Sequence, residues 1–73
     1  MPKLPRISGQ ECIRVLQRLG FSTIRQRGSH VILRNGDRGC VVSLHRELKI
    51  GTQHGLLKQG EVTPSEFIAA LHD

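Results

Sequence analysis

Arg25, Gln26, Arg27, Gly28, Ser29 and His30 bring two guanidinium groups, a hydroxyl and an imidazole into six consecutive residues. Imidazole exchanges protons near neutrality, with an ordinary pKa of about 6.5. A guanidinium presents a planar fork that grips a phosphate through two hydrogen bonds. Together these types suit proton transfer beside an anionic ester. The apolar run Val31-Ile32-Leu33 follows at once, so His30 falls where a loop enters a strand, at the rim of a sheet. A histidine in that place is also a common strand cap, partly buried and hydrogen-bonded, and these six residues alone leave both readings open.

A second set lies further along, in the polar stretch His45-Arg46-Glu47-Leu48-Lys49. If Asn35 to Gly39 forms a five-residue turn, Arg34 faces Cys40 and His30 faces Leu44. His45 then lies one residue beyond, at the same end of the sheet as His30. His45 and Ser29 are thus candidates for a second catalytic or positioning role, and a strand cap or protein contact is the other reading of His45. Arg25, Arg27 and Lys49 are the candidate phosphate contacts. Arg34, Arg38 and Arg46 are candidates for the same basic face, with a scattered solvated set as the alternative. His54 and His72 read as surface residues. The six acids are dispersed and no Cys-x-x-Cys pair is present, so neither a metal site nor a cofactor is expected.

Composition narrows the partner. Eleven Lys and Arg against six Asp and Glu leave a formal charge of +5 on 73 residues, a balance that attracts nucleic acid through release of condensed counterions. There is no Trp or Tyr and there are only two Phe, so base-stacking platforms are scarce and phosphate contacts should dominate. A chain this short forms one domain, residues 1–73, and buries only about 60% of its unfolded surface, which leaves no room for a deep substrate cavity. Cys12 and Cys40 fall within apolar patterns and read as buried thiols of a reducing cytoplasm. No apolar run suggests a signal peptide or membrane span, so a cytoplasmic protein is expected.

The elements that must position these residues follow from spacing. Met1 to Ile7, with Pro2 and Pro5, is a basic lead expected to pack little. Ser8-Gly9-Gln10-Glu11 has the spacing of a capping box. Cys12, Ile13, Val15, Leu16 and Leu19 then form one helical stripe, and Gly20 suits the left-handed position that ends it. Strands are predicted over Phe21 to Gln26, His30 to Arg34 and Cys40 to Leu44. A helix opening at Gly51 or Thr52 closes near Gly60. Thr63-Pro64-Ser65-Glu66 is a second capping box, leading a helix with Phe67, Ile68 and Leu71 on its apolar face. The expected fold is α+β, with the order α-β-β-β-α and the last α split in two. A three-stranded antiparallel sheet carries helices on one face and leaves the other open, as in double-stranded-RNA-binding-like domains.

Leu19-Gly20-Phe21, the run Arg25 to His30, Leu44-His45, Glu47-Leu48-Lys49, Gly51-Thr52, Leu57-Lys58-Gln59 and Glu66-Phe67 occur in an order and spacing that resembles the HicA toxin family. The resemblance spans about Ser8 to Leu71, and its most specific piece is Gly28-Ser29-His30. It implies a double-stranded-RNA-binding-like fold and a metal-independent mRNA interferase of a type II toxin–antitoxin pair that depends on the strand histidine, here His30. It also implies a HicB-type antitoxin that binds and masks the toxin, and a monomer when free. A module that holds structured RNA without cutting it is the alternative. The chain departs from the family pattern at Ser43, where proline is common, at Gln53-His54-Gly55, and at Glu61, where glycine is usual. Gly55 inside a helix costs about 1 kcal/mol relative to alanine.

Overall fold

Ser8 opens the first helix. Its Oγ accepts the Glu11 N–H at 3.1 Å while the Glu11 carboxylate accepts the Ser8 N–H at 3.1 Å, so two otherwise unpaired donors are satisfied reciprocally. The helix, α1 (Gly9–Arg18), buries Cys12, Val15 and Leu16. It ends as its sequence predicts, with Gly20 at φ 100° and the Phe21 N–H returning to the Leu16 carbonyl at 3.0 Å. The computed structural model describes residues 3–73, so Met1 and Pro2 of the basic lead lie outside the described residues.

Three strands follow, β1 (Ser22–Arg27), β2 (His30–Asn35) and β3 (Arg38–Ser43), in an antiparallel sheet of order β1-β2-β3. Each hairpin turns on two residues, Gly28-Ser29 and Gly36-Asp37, with the glycine at positive φ (56° and 65°) and its successor not. That is the type II′ pattern, whose twist matches that of the strands. The second turn is therefore shorter than the five residues expected, because Gly36 alone supplies the left-handed conformation and frees Asn35 and Arg38 to pair. The register moves by one. His30 faces Ser43 rather than Leu44, and Arg34 faces Gly39 rather than Cys40. A one-residue slip sends every side chain to the other face, and the observed register is the one that buries Val31, Leu33, Cys40 and Val42 together.

These four side chains face the helices. α2 (Ile50–Gln59) and α3 (Pro64–Leu71) complete the layer with α1, contributing Leu56, Leu57, Phe67 and Ala70 to one core that also holds Phe21, Leu48 and Val62. Thr63 caps α3 through the second reciprocal box, as its sequence predicts. The order is α+β, with helix, three antiparallel strands and two helices against the sheet, consistent with the double-stranded-RNA-binding-like arrangement.

Two features differ from expectation. Leu4 and Ile7 are buried, so the lead packs after all. The Ile7 carbonyl accepts the Leu48 N–H at 2.8 Å, and the Pro5 carbonyl accepts from Nε2 of buried Gln53 at 2.7 Å. Gln53, in a stretch that reads as weakly helical, is thus the residue that fastens α2 to the lead. At the far end of α2, Glu61 adopts φ 56°. The Glu61 N–H reaches the Lys58 carbonyl at 3.2 Å and the Val62 N–H reaches that of Leu57 at 2.9 Å. This is the Schellman motif, with glutamate where glycine is usual.

Candidate active site

The sheet face away from the helices is built in rows. Residues directly opposite one another share a face, so Arg27, His30 and Ser43 form one row, Arg25, Ile32 and Val41 the next, and Ser22, Arg34 and Gly39 the third. Three guanidinium groups and the His30 imidazole thus surround an aliphatic centre. No carboxylate occupies any of the nine positions. Val41 is 43% exposed and Ile24, beside the Arg25 row, is 57% exposed.

His30 is exposed, as are Arg25 and Arg27. The Leu44 N–H donates to the Ser29 carbonyl at 2.7 Å, which makes Ser29 and Leu44 a hydrogen-bonded pair. His30 and Ser43, the next pair inward, fall at the position without backbone bonds, where facing side chains approach most closely. Ser29 itself lies exposed in the hairpin tip, tied to the ladder through its carbonyl.

Ser43 also belongs to a cavity of about 260 Å³ lined by His45, Glu47, Leu48, Lys49 and Thr52. The row of His30 therefore continues past Ser43 towards His45 and Lys49. The expected pairing of His30 with Leu44 does not occur, yet His45 remains at the same end of the sheet. Glu47 stands 4.0 Å from Arg6 on an exposed rim, a pairing of small energetic weight. Lys49 is the N-cap of α2, whose first turn carries no acid and no side-chain cap.

Arg38 does not join this basic face. It pairs with Asn35, stands over the Phe21 ring at 5.9 Å and donates to the Glu61 carbonyl at 3.4 Å, because the observed register alternates it to the helix side. The thiols also lie outside the site. Burial, with Cys40 beside it, pushes the Cys12 thiol up to about 12, and burial pushes Cys40 up to about 11. Among the described residues, no group of three or more His, Cys, Asp or Glu is placed to hold a metal ion.

Two positioning residues escaped the sequence reading. Ser43 would have been found from a two-residue turn at Gly36-Asp37. Gly9 carries no signal beyond its place in the capping box. Its N–H donates to the His45 carbonyl at 2.9 Å, and a Cβ there would sit 2.9 Å from the Ser43 carbonyl carbon and closer still to its oxygen. The bare backbone at the start of α1 therefore seats the end of β3, and with it Ser43 and His45.

The family model for the HicA toxin of bacterial toxin–antitoxin systems matches residues 9–62. The chain belongs to the HicA toxin family. That span is more than half of the 73 residues and contains the whole sheet, His30 and the Lys49 cavity. A search of curated proteins finds no match to the chain. As a HicA-family toxin it has a cognate antitoxin as its implied partner. No helix among the described residues is long and apolar enough to cross a membrane.

Proposed function

We propose that this HicA-family toxin is an endoribonuclease, an mRNA interferase that stops translation by cutting RNA in the cytoplasm without a metal ion. RNA carries its own nucleophile. His30 takes the proton of a ribose 2′-hydroxyl, the oxygen attacks the adjacent phosphorus, and the P–O bond to the next nucleotide breaks. The leaving 5′-oxygen is protonated, and the new end is a 2′,3′-cyclic phosphate. His45 or water supplies the second proton transfer. Arg25, Arg27 and Lys49 hold phosphate oxygens as charge builds on the phosphorane, and Ser29 or Ser43 orients the imidazole or a phosphate oxygen. The observation that supports this most is the exposed His30 in one row with Arg27 and Ser43, among nine paired strand positions that hold no carboxylate. A HicB-type antitoxin that covers this face would silence the activity.

The test is RNA incubated with the pure protein in EDTA. Cleavage should fall by about 10²-fold or more in His30→Ala, a substitution at an exposed site that keeps the circular dichroism of the parent. RNA bound but not cut by the parent would leave a non-catalytic RNA-binding module in place of the nuclease.

A further inference from the structure

Between α1 and β1, on the helix side of the sheet, lies a second cavity of about 290 Å³ that the site above does not use. Its walls are polar, from Gln10 and Arg14 on α1 and Thr23 and Gln26 on β1, and its floor is aliphatic, from Ile13, Val31 and Leu44. Thr23 and Gln26 are three residues apart, an odd spacing that in a regular strand would put them on opposite faces. A bulge between Thr23 and Arg25 changes this: Thr23 pairs with Leu33 but Arg25 pairs with Ile32. The extra residue, Ile24, lets Thr23 and Gln26 turn inward while Arg25 and Arg27 keep to the outer face. Bulges are common where a side chain must be re-aimed beside a functional site.

The cavity is continuous in the chain with the row of His30. Gln26 adjoins Arg27, Val31 adjoins His30, and Leu44 adjoins Ser43, so it backs onto the same end of the sheet. Both phenylalanines, Phe21 and Phe67, are buried, and no Trp or Tyr is present. An unpaired base therefore has no exposed Phe, Tyr or Trp ring to stack on. What the surface offers instead is this aliphatic floor with amide and hydroxyl groups at its edges, the types that read base edges by hydrogen bonds. The Gln26 Nε2 is already given to the Gly28 carbonyl at 2.9 Å, which fixes the side chain and leaves Oε1 as an acceptor. The volume is near the lower limit of ligand pockets, the scale of a single planar group, and Arg14 brings a positive charge to the wall.

We infer that this groove is a base-reading subsite for one unpaired nucleotide beside the cut, and that Gln10, Thr23 and Gln26 set the cleavage-site preference. The inference rests on the nuclease reading for the word cleavage, but not for base recognition itself. The strand would pass from the outer face over the Gly28-Ser29 tip, flanked by Arg25 and Arg27, and place a base in the groove.

The experiment uses the full chain and short single-stranded 2′-O-methyl RNA oligonucleotides, which cannot be cut, in four versions differing in one base. Gln10→Met and Thr23→Val keep shape and remove hydrogen-bonding groups at exposed positions. The parent should favour one base, and the double variant should lose about tenfold or more of that preference, the discrimination of one edge-reading pair. On cleavable RNA the variant should still cut, at a broader set of sites. Unchanged base ratios in the variant, or equal affinities in the parent, overturn the subsite. So do unchanged ratios with weakened antitoxin binding, which would make the groove a protein contact. A parent that binds with base preference but makes no fragments defeats the nuclease reading and leaves the subsite standing.

Discussion

His30 and Ser43 face each other across a pair of β2 and β3 that lacks backbone hydrogen bonds. The imidazole therefore has one small neighbour on its β3 side, and the space above Ser43 is open towards the cavity of His45 and Lys49. A bulky residue at this position would obstruct the imidazole without touching it chemically. Ser43→Leu should lower RNA cleavage by roughly 10- to 100-fold, the scale of a displaced reacting group. Urea midpoints should stay close to those of the parent, since Ser43 is only half-buried. Undiminished cleavage in steady-state assays would remove the Ser43 side from the path of the RNA.

Arg25 and Arg27 belong to neighbouring rows of the open face. If each holds one phosphate, Arg25→Ala and Arg27→Ala should weaken RNA binding for all sequences alike. Each should reduce the slope of log affinity against log salt by about 1. Fluorescence anisotropy over a salt series measures both effects, and slopes equal to that of the parent would take these side chains off the phosphate backbone.

Glu61 is held in the left-handed region at φ 56°, where an L side chain costs roughly 1–2 kcal/mol. Glycine avoids that cost but raises the entropy of the unfolded chain. Glu61→Gly should therefore stabilise the fold by about 0.5–1 kcal/mol, read as a higher urea midpoint. The Arg38 contact goes to the backbone carbonyl of residue 61 and survives the change.

The buried thiols give the fold an alkaline limit. Both are raised above their ordinary value of 9.0, Cys12 to about 12 and Cys40 to about 11. Groups raised on folding stabilise fully below their unfolded pKa and lose that contribution as pH climbs through the folded value. Stability should therefore decline from pH 9 upward, and the Cys12→Ala/Cys40→Ala variant should show a flatter decline between pH 9 and 11 in denaturant titrations.

Much of this was legible in the sequence because local chemistry agrees with the fold. The two capping boxes, the α1 stripe and Gly20 each state their element without reference to the rest of the chain. The hairpin register was not legible, because Asn35-Gly36-Asp37 reads equally as the centre of a long turn or as a short turn flanked by pairs. Only burial of Val31, Leu33, Cys40 and Val42 on one face decides it. The burial of Gln53 is hidden in the sequence for a related reason. Its amide is a poor core residue by type, and its Nε2 finds its closest partner only once the Pro5 carbonyl is brought to it. The groove over Thr23 and Gln26 depends on a bulge, which single-residue alternation does not reveal.

Pro5 holds α2 through Gln53, and Ile7 holds the segment between β3 and α2 through Leu48. Tension applied to the amino end is therefore transmitted to the loop that carries His45 and Lys49. A bulky fusion partner or a surface linkage attached there would disturb that loop, whereas the same attachment at Asp73 would load α3 instead. The choice of tethering end is thus itself a handle on the toxin.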